Sequence, residues 1–317
     1  MSDAIRELGE RLKAEVTRAV VGQDDAVDQV LTGLLASGHV LLEGVPGTGK
    51  TLLAKALVRA LGGEFRRVQF TPDLMPSDVL GTSVWDEGRR EFVLRRGPIF
   101  ADVVLGDEIN RAPPKTQAAF LEAMEERQVT IDGDRLPLPS TFFVIATRNP
   151  VEYEGTYPLP EAQLDRFLLM VRLGYPGAEV ERGLLARNRR PDQGHDLDSL
   201  GVRNVATPAD VARAREELAG VVAAPETIAY LMEIVERTRD SGDVALGASP
   251  RAAIGWLAAA RAAAALRGSP HVTPDDVKET ALPVLRHRLV LQPEAEMAGA
   301  DPDRVLHDLL GRVDVPR

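Results

Sequence analysis

The chain has 317 residues, of which 44% are hydrophobic and 27% charged, a size and balance suited to one large globular domain or two ordinary ones. It contains no cysteine, which excludes disulfides, thiolate catalysis and cysteine-ligated zinc or iron–sulfur centres. With 38 Lys and Arg against 48 Asp and Glu, the net charge of −10 disfavours nonspecific binding to nucleic acid or anionic lipid.

Ile5, Leu8, Leu12 and Val16 recur at helical spacing and predict an amphipathic first helix, followed by a second over 24–37. No apolar run reaches the roughly 20 residues a membrane-spanning helix needs. The opening MSDAIRELGERLKAE lacks the apolar core of a signal peptide, so a cytoplasmic protein is expected. Residues 39–43 (HVLLE) read as a short buried strand, 44–49 as a glycine-rich turn, and 51–61 as a helix stopped by Gly62-Gly63. A second strand is predicted over 67–70. The nearly all-apolar 101–106 predicts a strand covered on both faces. Residues 114–127 read as helix, and 129–138 as a hairpin around Asp132-Gly133. Two more buried strands are predicted over 141–147 and 167–173.

Strands alternating with helices argue a parallel sheet with right-handed crossovers. The pattern changes after Tyr175. Residues 189–207 are polar and loop-like, and beyond them helices without strands are predicted, including 223–239, 249–266 and 302–310. Thr207-Pro208 and Thr273-Pro274 read as N-caps with proline in the first turn. The expected fold class is α/β, a parallel-sheet domain over 1–190 followed by a smaller all-helical domain over 191–317.

The strongest chemical signal is Gly44-Val45-Pro46-Gly47-Thr48-Gly49-Lys50-Thr51, which fits G-x-x-x-x-G-K-[ST] between a predicted strand and a predicted helix. Glycines let backbone N–H groups turn inward onto phosphate oxygens, and the helix N-terminus adds its positive dipole end. Lys50 is placed to reach the β- and γ-phosphates, and Thr51 offers a hydroxyl to Mg²⁺. Leu52 follows directly. The apolar strand at 103–106 ends in Asp107-Glu108, at the sheet edge where ligands of parallel sheets collect. Asp107 suits the magnesium shell and Glu108 the polarisation of an attacking water. Asn149 follows the strand at 141–147. It reads either as an amide fixing that water beside the γ-phosphate or as an Asn-Pro turn.

The order GVPGTGKT, LGDEINRAPPKTQAAFLEAMEERQVTIDG, FFVIATRNPVEYEGTYPLPEAQLDRF resembles the MoxR family of AAA+ ATPases, from Val21-Gly22-Gln23 to Phe167. Over the helical part, Gly247-Ala248-Ser249-Pro250-Arg251 is the main matching element. The resemblance implies a P-loop NTPase (AAA+) domain with a helical lid. Gly44, Gly47, Gly49, Lys50 and Thr51 form the phosphate loop, Asp107 and Glu108 the Walker B pair, and Asn149 the first sensor. Arg166 is the arginine finger offered to a neighbour's nucleotide, and Arg251 is the second sensor, projecting from the lid towards the cleft. Val21 and Gly22 lie near adenine. Gly106 departs from the alanine or other small residue usual before the acidic pair, at some cost in strand preference.

The implied activity is Mg²⁺-dependent ATP hydrolysis by a ring, expected of six copies, driving chaperone-like remodelling such as metal-centre insertion. The implied partner is a client protein, often of von Willebrand A type. Two rivals remain at this point, a nucleotide-gated scaffold without turnover and an AAA+ motor acting on nucleic acid. Residues 76–98, with Trp85, Arg89, Arg90, Phe92, Arg95 and Arg96, read equally as a pore-facing client loop or a solvated hairpin, and 129–138 is of the same kind. Gln69 is a candidate switch for Glu108. Asn110 and Arg111 read as interface residues or a local cap. His195, His271, His287 and His307 show no ligand spacing and are expected at the surface.

Overall fold

The structure, a computed structural model, describes residues 2–150, 155–187 and 197–316. Helices α1 (Ser2–Ala19) and α2 (Asp24–Leu35) lead into strand β1 (Val40–Gly44), helix α3 (Lys50–Leu61), strand β2 (Phe65–Gln69) and the short helix α4 (Pro76–Leu80). A hairpin of β3 (Gly81–Asp86) and β4 (Glu91–Arg96) precedes β5 (Val103–Asp107), a 3₁₀ turn over Ile109–Arg111 and helix α5 (Pro114–Glu126). The hairpin of β6 (Gln128–Ile131) and β7 (Asp134–Pro137) is followed by β8 (Phe143–Arg148), α6 (Glu161–Leu164), β9 (Leu169–Leu173) and α7 (Ala178–Arg187).

Five of these strands form one all-parallel sheet in the order β2-β5-β8-β1-β9. Side chains alternate between its faces, as a pleated strand requires. Val40, Leu42, Val103, Leu105, Phe143 and Ile145 join the apolar cluster that includes α1, α2 and α3. Leu41, Val104, Val144 and Ala146 join a second cluster with α5 and the β6–β7 hairpin. The sheet is therefore covered on both sides, as the runs of apolar strand residues predict. The second strand begins two residues earlier than expected, at Phe65 rather than Arg67.

The remaining helices are α8 (Pro208–Leu218), α9 (Pro225–Asp240), α10 (Pro250–Leu266), α11 (Pro274–Leu285), α12 (Pro293–Met297) and α13 (Pro302–Gly311). Thr207 and Thr273 cap α8 and α11 as expected, each in a reciprocal box with an aspartate three residues on. The expectation of no strands here needs correction. Two short ladders tie the helices together: β10 (Val222–Ala223) with β12 (His271–Val272), and β11 (Val244–Leu246) with β13 (Val290–Leu291). Strands of two or three residues are too short to show a period in sequence. The expected division at 190/191 falls at residues outside the described ones. Alanine-rich α10 packs on α11 and also on α1 and α2, so its alanines share the cluster of the sheet's first face.

His287 is buried, contrary to the surface expectation. It follows α11, and its Nε2 meets the Phe167 carbonyl at 3.0 Å. Burial, and then the neighbouring Arg288, hold its pKa well below the usual histidine range. His271 and His307 are exposed, as expected, and His195 lies outside the described residues. Among the described residues, no helix is long and apolar enough to cross a membrane.

Candidate functional site

Strand β1 ends at Gly44 and helix α3 begins at Lys50, so the glycine-rich loop bridges a strand's C-terminal edge and a helix N-terminus. Gly47 and Gly49 take φ of +86° and +89°, a left-handed conformation that only glycine adopts at little cost. The Lys50 ammonium turns into the loop, donating to the carbonyl of Gly44 and, at 3.0 Å, to that of Val45. The pocket around the loop is lined by Pro46, Gly47, Thr48, Gly49, Lys50, Thr51, Leu52 and Lys55, and across from them by Asp107, Glu108, Thr147, Arg148 and Asn149. Two strands that are distant in sequence thus bring the acidic pair and Asn149 to face the loop. Sequence reasoning did not find Lys55, Thr147 or Arg148, whose residue types carry no motif of their own.

A hydrogen-bonded chain fixes the two carboxylates. Thr147 donates its hydroxyl to Asp107 Oδ1 at 2.7 Å and accepts the Glu108 backbone N–H at 2.9 Å. The Thr51 hydroxyl reaches Asp107 Oδ2 at 3.4 Å. Arg67, on the neighbouring strand, donates to the same oxygen from Nε at 3.1 Å and Nη2 at 2.6 Å. Its Nη2 also donates to Gln69 Oε1 at 2.6 Å, and Gln69 Nε2 donates to Glu108 Oε2 at 2.9 Å. Arg111 reaches that same Glu108 oxygen at 3.0 Å. Glu108 has φ of +59°, unusual for a residue with a side chain, and the reversal swings its carboxylate out of the strand towards Gln69 and Arg111. Gln69 was expected beside Glu108; Arg67 and Arg111 complete the set. In parallel register, a positive residue two before Gln69 has no signal until β2 is laid against β5.

Gly106 has a packing reason. A Cβ there would stand 3.1 Å from Phe70 and 3.3 Å from Phe120, whose rings meet edge to face at a centroid distance of 5.2 Å.

Magnesium is tested by the donor chemistry. Asp107 and Thr51 offer hard oxygens side by side, which suits a cation that keeps waters and phosphate oxygens as its other ligands. Among the described residues no group of three or more His, Asp or Glu is set to hold a metal.

Val21 and Gly22 form a turn beside the loop, with Val20 3.8 Å from a Cβ placed on Gly49. Gly22, at φ of +78°, is covered by Val180 of α7, 3.0 Å from a Cβ placed there. Arg166 and Arg251 lie elsewhere. Neither lines the pocket, and both end on Glu125 at the C-terminal end of α5, Arg166 Nε at 3.0 Å from Oε2 and Arg251 Nη2 against Oε1. Arg251, expected to project from the lid towards the cleft, thus rests on Glu125 outside the residues that line the pocket. The start of α10 is held against the turn before β9 by the Ser249 hydroxyl on Asp165. The 76–98 segment is α4 and the β3–β4 hairpin, where Trp85 and Phe92 stack edge to face at 5.3 Å and remain 50% and 72% exposed. Residues 151–154 of the NPVEYEGTYPLP stretch lie outside the described residues.

The profile of the ATPase family associated with various cellular activities (AAA) matches residues 39–169, and that of the AAA lid domain matches residues 236–309. Chaperone MoxR1 of Mycobacterium tuberculosis is 46% identical over 97% of this chain and 82% of its own length. Protein MoxR of Methylorubrum extorquens is 34% identical over 97% of this chain and 94% of its own. The chain belongs to the MoxR family of AAA+ ATPases. Protein YeaC of Bacillus subtilis is 46% identical over 95% of this chain and 92% of its own. A crystal structure of a candidate ATPase from Cytophaga hutchinsonii superposes with a TM-score of 0.90 and 37% identity, over all of this chain and 97% of that one. The loop, the acidic pair and the sheet that carries them are thus those of a MoxR-type AAA+ protein.

Proposed function

We propose that this MoxR-type chain hydrolyses ATP with Mg²⁺ as part of a ring of identical subunits, expected of six, and spends the energy on remodelling a partner protein. The observation that carries the reading is the hydrogen-bonded set Thr51–Asp107–Thr147–Glu108–Gln69, which sets two carboxylates in the pocket that the glycine-rich loop lines. In this reading, the loop's N–H groups and the α3 N-terminus hold the triphosphate. Lys50 exchanges the Gly44 and Val45 carbonyls for phosphate oxygens. Val21 and Gly22 lie against the base. Thr51 and Asp107 hold Mg²⁺, which neutralises phosphate charge. Glu108 accepts a proton from the attacking water, and Asn149 fixes that water beside the γ-phosphate.

Arg166 and Arg251 lie outside the pocket of their own chain but together on Glu125. This placement supports a role for both in trans, on the nucleotide of an adjoining subunit. A guanidinium matches the charge that spreads over the γ-oxygens in the transition state. A head-to-tail contact of this type makes a ring where its rotation closes. The name of the mycobacterial relative supports chaperone-like work. Metal-centre insertion and a client of von Willebrand A type are the finer form of the same proposal.

Phosphate release by the wild type and by Glu108→Gln, followed over a range of protein concentration, tests it. Turnover per subunit is expected to rise with concentration in the wild type and to be lost in the variant. A wild type that releases no phosphate at any concentration at which it assembles refutes the enzymatic reading.

A further inference from the structure

Arg166 precedes β9 and Arg251 opens α10, yet their side chains meet at one carboxylate. Glu125 alone is a weak organiser, because its two ion pairs are part-exposed, and such pairs contribute about 0–1 kcal/mol. A stronger tie lies one residue away. Asp165 accepts the Ser249 hydroxyl on Oδ2 at 3.0 Å and Arg288 Nε on Oδ1 at 2.6 Å. Ser249 is also the N-cap of α10, accepting the Ala252 N–H at 3.0 Å, and Arg251 is the second residue of that helix.

Arg288 is buried, and its other N–H groups go to carbonyls of the same turn, Phe167 at 2.6 Å and Leu168 at 3.0 Å, and to that of Val284 in α11. One carboxylate therefore joins the turn that carries Arg166, the first turn of the helix that carries Arg251, and a buried cation following α11. Removing one partner from such a set leaves a buried charge uncompensated, so the three elements are bound to a single arrangement.

We infer that Asp165 is a positioning residue that, through Ser249 and Arg288, sets the spacing of the Arg166 and Arg251 guanidiniums presented to an adjoining subunit. The inference rests on the trans reading of those two arginines. It assigns Asp165 to the donor side of the subunit contact and leaves the phosphate pocket of its own chain untouched.

The test is a mixing experiment on the full chain. Asp165→Asn keeps the side chain's shape and removes its charge. Alone, it is expected to lower kcat about tenfold, the scale of losing a hydrogen bond to a charged group, with KM for ATP unchanged. Glu108→Gln is dead in its own pocket but keeps the donor side intact. Mixed in equal amounts, the two are expected to recover about a quarter of wild-type turnover, the share of contacts that join an intact pocket to an intact donor. Ser249→Ala cuts the tie to α10 together with the N-cap bond to Ala252, leaves Arg288 on Asp165, and is expected to show a milder defect of the same kind, so the inference stays testable if Asp165→Asn folds poorly.

Wild-type kcat in both Asp165→Asn and Ser249→Ala overturns the inference. So does a loss of kcat that Glu108→Gln does not relieve, provided Arg166→Ala mixed with Glu108→Gln does recover activity. If the Arg166→Ala mixture recovers nothing, the trans reading itself fails and the inference falls with it, a result distinct from the other two.

Discussion

Arg67 and Asp107 are joined by two donors on one oxygen: Nη2 at 2.6 Å and Nε at 3.1 Å from Oδ2, the atom that the Thr51 hydroxyl also approaches. In the proposed reaction the carboxylate serves a metal, so the guanidinium and the cation draw on the same lone pairs. Arg67→Gln is expected to lower the Mg²⁺ concentration for half-maximal phosphate release a few-fold, because a competing positive charge is gone. A magnesium titration at fixed ATP reads this directly, and an unchanged or raised midpoint contradicts it.

Glu108→Gln keeps the Gln69 contact sterically and removes the base. Nucleotide binding is expected to remain within a few-fold of the wild type while kcat falls about 100-fold or more. Equilibrium binding of a fluorescent ATP analogue, set beside phosphate release, separates the two effects.

Glu125 pairs with both Arg166 and Arg251 and offsets one of their two positive charges. Glu125→Gln raises the positive potential offered to a neighbour's phosphates while costing little stability, about 0–1 kcal/mol for part-exposed pairs. The protein concentration giving half-maximal turnover is expected to fall, with the thermal unfolding midpoint nearly unchanged. A rise in that concentration would count against Glu125 as a competing counter-ion.

His39 is buried at the start of β1, its Nδ1 accepting the Val144 N–H at 3.0 Å and its Nε2 donating to the Met124 carbonyl at 3.0 Å. Burial, then Arg127, lowers its pKa from 6.5 to about 3. Between those values the unfolded chain binds a proton that the folded chain refuses. Stability is therefore intact above about pH 6.5 and is lost as pH falls towards 3, by about 1 kcal/mol at pH 5.5 from this residue alone. His287 adds to the same slope. Denaturant unfolding at pH 7.5 and 5.5 measures it, and a His39→Gln variant is expected to show a shallower dependence.

Gly106→Val tests the packing account of the departure before the acidic pair. The added atoms meet Phe70 and Phe120, and overpacking of this kind costs about 1–3 kcal/mol. A denaturant midpoint that does not move would show that the two rings yield freely.

The phosphate loop and the acidic pair were legible because each is a contiguous run whose residue types carry the chemistry, set beside strands and helices with clear periods. Most of the sheet was legible for the same reason, since apolar runs such as 103–106 are buried on both faces. Arg111, read as an interface residue or a local cap, meets Glu108 three residues away, whereas Arg67 escaped notice because an arginine on one strand acquires its partner only when strands are laid side by side. The same holds for Asp165 with Arg288, which are 123 residues apart. His287 read as a surface residue because a single histidine between arginines gives no sign that its ring turns inward onto the Phe167 carbonyl. The direction of Arg251 depends on how α10 is seated, and no local motif encodes that.

The seating of α10 also bears on how work is delivered. Gly9 of α1 lies so near Leu266 that a single added carbon would stand 2.3 Å from its methyl, and Trp256 of the same helix bonds the Val277 carbonyl of α11 at 3.0 Å. A close-packed seam of buried alanines resists the two halves of a subunit swinging apart like a clamshell. Strain generated at the phosphates would leave the subunit as rigid-body rotation and be felt next door, where Arg166 and Arg251 emerge.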